Sequence, residues 1–223
     1  MEEKKEERGM IEIIEKLTAL QADILGEIAN ISMGNAATTL SMMVNRKVDI
    51  TTPYVAVIKR SEALNDYEKT CIFVQIHYVK GLDGNNVLIL KEDDVKVLTD
   101  LMMGGSGQCA EGELNELHLS AVSEAMNQMM GTAATSLSAL FNISTDISTP
   151  EVTRIDVESV KAFERMFNSQ NDRFVKVSFR MTVEDLIDST MVQLYPIGFA
   201  VDMIEKFDDT KKRQSEDAMN KIW

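Results

Sequence analysis

The sequence predicts an internally duplicated α+β fold. Three observations point to it: a long self-repeat, a helical period that opens each copy, and strand-like alternation that follows. Laying the chain on itself with a shift of 97 positions superimposes Glu27, Asn30, Gly34, Ala36, Ala37, Thr38, Leu40 and Ser41 on Glu124, Asn127, Gly131, Ala133, Ala134, Thr135, Leu137 and Ser138, all identical. Without a gap, the same shift carries Asp49, Ile50, Thr52 and Pro53 onto Asp146, Ile147, Thr149 and Pro150. That period is too long for a solenoid unit and two copies are too few for an array, so the repeat reads as a duplicated folding unit with approximate two-fold symmetry. Whatever one copy does is expected twice.

Repeat one spans about residues 11–105 and repeat two about 112–207. Leu17, Leu20, Ile24, Ile28 and Ile31 recur at helical spacing, as do Leu119, Val122, Ala125 and Met129, so each repeat opens with a long amphipathic helix. Gly34, Ala36, Ala37 and their copies Gly131, Ala133, Ala134 suit a close approach between these two helices, with ordinary core packing as the competing reading. Strand-like stretches follow at Lys47 to Ile58, Cys71 to Tyr78 and Asn86 to Leu90 in the first repeat, and at Phe174 to Met181 and Thr190 to Tyr195 in the second. The alternation Phe174, Val175, Lys176, Val177, Ser178, Phe179 fits half-buried antiparallel strands. Asp93 to Met103 and Ile197 to Phe207 close the repeats as helices, the first stopped by Gly104 and Gly105. Residues 1–10 read as a charged tail, and residues 208–223, polar and without strong apolar periodicity, as a linker.

Composition narrows the function. The 223 residues, 44% hydrophobic with only 3 Pro, can bury a core without disulfide or metal staples. Against 23 Lys+Arg stand 36 Asp+Glu, a net charge of −13 that repels phosphate backbones and anionic headgroups, so nucleic acid and membrane surface are not expected partners. Cys71 and Cys109 form neither a disulfide framework nor a CxxC pair, and the start of the chain lacks a signal-peptide core. No run approaches the 18 or so apolar residues of a membrane span. The expected location is cytoplasmic.

Candidate chemistry sits on the two opening helices. Asp23, Glu27 and Asn30, at i, i+4 and i+7, share one helical stripe, and Ser120, Glu124 and Asn127 repeat it. A polar stripe is usually only a solvated face. Solvation alone gives no reason to hold Glu and Asn at the same places in both copies. An amide is neither base nor nucleophile and a single carboxylate is a poor metal site, so covalent and metal catalysis fit badly. A carboxamide can instead hold a water by one donor and one acceptor for in-line attack, and a carboxylate one turn away can pair with a cation on a partner protein.

The spacing Asp or Ser, three residues, Glu, two residues, Asn, twenty-two residues, Pro occurs twice, in Asp23, Glu27, Asn30, Pro53 and in Ser120, Glu124, Asn127, Pro150. It resembles the signature of the CheC, CheX and FliY phosphatases of bacterial chemotaxis. The resemblance runs from about Gln21 to Phe207, and KVDITTP at 47–53, HLSAVSEAMNQMMGTAATS at 118–136 and LIDSTMVQLYP at 186–196 are closest in wording to the FliY branch. It implies a CheC-like α+β fold, with a central antiparallel sheet flanked by two long helices that carry the sites. The implied substrate is the phosphorylated response regulator CheY. By position, Asn30 and Asn127 would orient the attacking water, and Glu27 and Glu124 would contact a lysine in the substrate's own active site. Mg²⁺ would arrive bound to that substrate, leaving this chain with no cofactor or metal of its own.

Further implications are a place at the flagellar switch complex, with FliM, FliG and FliN-like domains as partners, and a linker at 208–223 leading toward a FliN-like domain. The other reading is a non-catalytic switch scaffold like the middle domain of FliM. Asp23 and Ser120 are open between helix capping, orienting a neighbour and touching substrate, and Pro53 and Pro150 read as fixing a strand edge or bulge. Met1 to Leu20 does not resemble the docking peptide that can open FliY proteins, and Ala29 stands where relatives often carry Gly. His77 and His118 are too far apart in sequence to suggest metal or acid–base work. Gly104, Gly105 and Gly107 lack the Lys and Ser/Thr of a phosphate loop. Met126, Met129 and Met130 offer either core filling or an adaptable rim beside the second site.

Overall fold

The computed structural model describes residues 17–63, 70–108, 112–155 and 173–220; residues 1–16 and Cys109 lie outside them. In chain order the elements are α1 (Ala19–Val44), β1 (Val48–Lys59), a short 3-10 turn (Arg60–Glu62), β2 (Cys71–Lys80), β3 (Gly84–Lys91), α2 (Glu92–Met102), α3 (Glu116–Phe141), β4 (Asp146–Ile147), β5 (Glu151–Ile155), β6 (Arg173–Val183), β7 (Ile187–Pro196) and α4 (Ile197–Asn220). The strands form one seven-stranded sheet ordered β1-β6-β7-β3-β2-β4, with β5 also on β2, and every pairing is antiparallel.

That order is symmetric about the β3–β7 seam. Each repeat keeps its own hairpin (β2–β3, β6–β7) but sends its first strand across to the other: β1 pairs with β6, and β4 and β5 pair with β2. The duplication is thus visible in the topology as well as in the sequence. Alternation along the strands separates two faces. Val175, Val177, Phe179, Met181 and Val183, with Ile72, Val74 and Ile76, face the large core shared with all four helices. Cys71, Phe73, Val87, Ile89, Phe174, Val192 and Leu194 form a smaller cluster on the other side. Burial pushes the Cys71 thiol up to about 12, so it is packing rather than a nucleophile.

Side chains begin and end both motif helices in the same way. The Thr18 hydroxyl accepts from Gln21 N (3.2 Å) while Gln21 Oε1 accepts from Thr18 N (2.9 Å), a reciprocal cap on α1. Asn115 Oδ1 accepts from Leu117 N and His118 N (3.0 and 3.1 Å), and His118 Nδ1 accepts from Asn115 N (3.2 Å), so His118 serves the cap of α3. At the far ends Asn45 and Asn142 take left-handed φ of 50° and 53°, which Asn tolerates better than most residues. The chain then folds back onto a serine: Ser41 Oγ accepts from Val48 N at 2.9 Å, and Ser138 Oγ accepts from Thr145 N at 2.8 Å.

α1 and α3 pack against each other and run antiparallel. Asn35 Nδ2 donates to Ser136 Oγ (2.9 Å) and Thr39 Oγ1 bonds Thr132 Oγ1 (2.8 Å), so partner numbers fall as residue numbers rise. The 97-residue shift converts one of these pairs into the other, which puts the pseudo-two-fold axis between Ala37 and Ala134, both buried. Ala36, Ala37, Ala133 and Ala134 are buried around that axis. Gly34 and Gly131 make no close approach, since a Cβ on either would meet nothing.

Several expectations need correction. Leu20 and Ile31 are exposed, at 68% and 37%, because α1 buries Leu25, Ile28, Ala29, Met33, Ala36, Ala37, Leu40 and Val44 instead. The strand after α3 was absent from the sequence reading, and β4 and β5 occupy it. Residues 208–220 are helical: α4 continues to Asn220, and the buried Thr210 hydroxyl donates to Phe141 O at 3.1 Å. Met126, Met129 and Met130 need no correction: they are buried and fill the core, one of the two uses their positions offered.

Candidate functional site

Asp23, Glu27 and Asn30 lie on the solvent side of α1, all three exposed, while the intervening Leu25, Ile28 and Ala29 anchor that helix to the core. Ser120 and Glu124 are likewise exposed on α3 and Asn127 is half-buried, over buried Val122, Ala125 and Met126. Burying one face leaves the polar stripe no direction but outward. The structure therefore brings Asp23, Glu27 and Asn30 together, and separately Ser120, Glu124 and Asn127. Asn30 and Asn127 each precede the axis alanine by seven residues on antiparallel helices. At 1.5 Å per residue they stand about 20 Å apart along the helix pair.

The two prolines sit at interruptions of the sheet edges. Pro53 sits where the β1–β6 register slips between Thr51 and Tyr54, and its ring lies 3.9 Å from where a Cβ on Gly26 would be, directly before Glu27. Pro150, buried, occupies the break between β4 and β5. Both are on outer strands, where a missing N–H removes no ladder bond and the interruption blunts the edge. Capping is not the role of Asp23 or Ser120: Thr18 and Asn115 hold the caps, and the two residues stand in the second turns, beyond reach of the free N–H groups.

The surroundings of the two glutamates differ. Glu27 Oε1 lies 3.6 Å from Lys211 Nζ on the extension of α4, and that ammonium also sits 4.6 Å from the Phe207 ring centre. Glu124 Oε1 instead accepts from Gln128 Nε2 on its own helix at 2.8 Å; the equivalent position beside Glu27 is Ile31. A recess of about 530 Å³ opens at the second site, lined by Glu116, Leu119, Ser120, Ser123, Glu124 and Val152. Lys211 and Gln128 were not found from the sequence. The only signal for Lys211 was the spacing of opposite charges such as Asp208 and Lys212, which extends a helix without an apolar face.

Among the described residues no three His, Cys, Asp or Glu converge to hold a metal ion, and no helix is long and apolar enough to cross a membrane. His77 Nδ1 pairs with Asn85 Oδ1 across the β2–β3 hairpin, away from both stripes.

Comparison with known proteins finds relatives of both repeats. The family model described as CheC-like family matches twice, at residues 20–56 and 117–154, so each match holds one stripe and its proline. The flagellar motor switch phosphatase FliY of Bacillus subtilis is 43% identical over 206 residues, covering 92% of this chain and 54% of the relative. The CheY-P phosphatase CheC of the same organism is 27% identical over 139 residues, 59% of this chain and 65% of the relative. The chain thus spans little more than half to two thirds of these curated relatives. The crystal structure of Thermotoga maritima FliY is 42% identical with a TM-score of 0.81, covering 87% of this chain and 98% of that one. The chain belongs to the CheC-like family.

Proposed function

We propose that this chain is a protein phosphatase that removes the phosphoryl group from the phosphoaspartate of the response regulator CheY, using two separate sites. The observation that carries the reading is the twice-presented Glu and Asn stripe, outward on two helices related by a two-fold axis. The named activities of the B. subtilis relatives, a flagellar motor switch phosphatase and a CheY-P phosphatase, support it.

In each site the asparagine side chain, Asn30 or Asn127, holds a water by amide donor and carbonyl acceptor in line with the phosphorus. The water oxygen bonds to phosphorus as the bond to the aspartyl oxygen breaks. The carboxylate leaves with the bonding pair, and the water proton passes to the phosphate released. Glu27 or Glu124 pairs with a lysine of the substrate and fixes the docked geometry. Charge on the phosphoryl oxygens is met by Mg²⁺ carried on the substrate, so this chain contributes position rather than a metal. Its place is the cytoplasmic face of the flagellar switch, with FliM, FliG and FliN-like domains as neighbours.

Release of phosphate from prephosphorylated CheY at fixed Mg²⁺ tests this. Asn30→Ala with Asn127→Ala is expected to lower turnover at least ~100-fold, the scale of losing a positioned reactant, with an unchanged melting temperature. Full activity in the double variant would remove the water-positioning role, and an inactive parent chain would leave the scaffold reading.

A further inference from the structure

Seven large apolar side chains are exposed among the described residues: Leu20, Ile31, Met42, Tyr54, Val79, Met103 and Leu117. Scattered singly, such residues carry no information. The repeat makes two of them informative. Leu20 and Leu117, 68% and 62% exposed, are equivalent under the 97-residue shift, whereas Ile31, Met42 and Tyr54 correspond to Gln128, Ala139 and Glu151. Val79 and Met103 lie beyond the ungapped repeat.

Both leucines also align with the sites. On α1, Leu20, Asp23, Glu27 and Asn30 fall at i, i+3, i+7 and i+10; Leu117, Ser120, Glu124 and Asn127 do so on α3. At 100° per residue those four positions fit within a band about 80° wide, with the leucine about 10 Å along the axis from the glutamate and about 15 Å from the asparagine. Each leucine occupies the first turn just after a side-chain cap, Thr18 or Asn115, so it is presented on an ordered backbone. It is too far from the asparagine to touch a reacting phosphoryl group. A small acyl phosphate at the asparagine could not reach it. A folded protein could.

We infer that Leu20 and Leu117 are docking anchors for the phosphorylated protein substrate, each filling an apolar recess on that protein about two helical turns from the lysine that pairs with Glu27 or Glu124. This rests on the phosphatase reading for the identity of the partner. The surface is continuous with the proposed site, occurs wherever the site occurs, and combines one apolar anchor with one carboxylate, which fits a basic, partly apolar protein face. The leucines set affinity and choice of partner, and leave the chemical step alone.

The test isolates each site. With Asn30→Ala silencing site one, Leu117→Ser is expected to raise KM for phosphorylated CheY roughly tenfold, the scale of one unburied leucine, with kcat unchanged; Leu117→Met restores KM. With Asn127→Ala, Leu20→Ser does the same for site one. Binding of beryllofluoride-loaded CheY to the Leu20→Ser, Leu117→Ser variant, read by calorimetry, separates this inference from the catalytic one. A tenfold weaker Kd supports the anchors even if the parent chain turns over nothing. An unchanged KM and Kd, or no binding of loaded CheY by the parent chain, overturns them. So does loss of self-association in sedimentation with Kd intact, which would assign the leucines to a second copy. An unchanged melting temperature controls for folding.

Discussion

The two candidate sites share glutamate, asparagine, helical spacing, sheet-edge proline and a capped first turn, and differ in what holds the glutamate. In site one a cation from another element, Lys211, lies against Glu27; in site two a neutral amide from the same helix, Gln128, bonds Glu124 and leaves its charge uncancelled. The second site opens onto a recess formed with Val152 of β5. Symmetry of sequence therefore produces matching motif helices with unequal electrostatics. The inequality enters through Lys211 of α4 at one site and through Gln128, in place of Ile31, at the other.

The strongest test of this contrast removes one asparagine at a time. Under the proposed mechanism the substrate's lysine displaces Lys211 at site one, and an exposed ion pair is worth about 0–1 kcal/mol, so Asn127→Ala is expected to cost up to about five times more CheY-P turnover than Asn30→Ala. Equal losses would erase the distinction. A smaller effect sharpens it: Lys211→Met in an Asn127→Ala background should raise kcat/KM of the remaining site about two- to fivefold, and in an Asn30→Ala background should change nothing. That gain should vanish near ~0.5 M salt, where screening removes the pair. Smallest of all, and equal by symmetry, are the helix ends. Asn45→Ala and Asn142→Ala each place a Cβ residue without a polar handle at left-handed φ, a loss of about 1 kcal/mol read as matching drops in melting temperature. Unequal drops would show that the repeats differ in their scaffold as well.

Much of the fold and of the candidate site was legible, for identifiable reasons. The shift of 97 exposed the repeat because identities cluster where side chains are constrained: the site stripe, the alanines at the axis, the serine that accepts from the returning strand, the edge proline. Helix and hairpin strands followed from period. The exchange of β1 and β5 between repeats was not legible, since alternation within a strand says which face is buried and nothing about which neighbour it joins. Leu20 and Ile31 were misplaced because α1 buries several small residues, and a hydropathy pattern gives Ala29, Ala36 and Ala37 little weight. Residues 208–220 looked like linker because an exposed helix needs no apolar stripe once Phe207 and Thr210 anchor its base. Lys211 was hidden with them, whereas Asp23 against Ser120 already marked the two sites as unequal.

The crossing of first strands has a consequence of its own. Each hairpin completes its sheet with a strand that belongs, by sequence, to the other half. Two separate half-length chains could build the same sheet only by trading those strands, as a domain-swapped dimer does, and the segment between Met102 and Glu116 makes that trade permanent within one molecule. Fusion also frees the halves from being identical. A homodimer must carry every change twice, whereas here one half can hold Gln128 where the other holds Ile31, and Ser120 where the other holds Asp23, so one arm can specialise while its twin is kept.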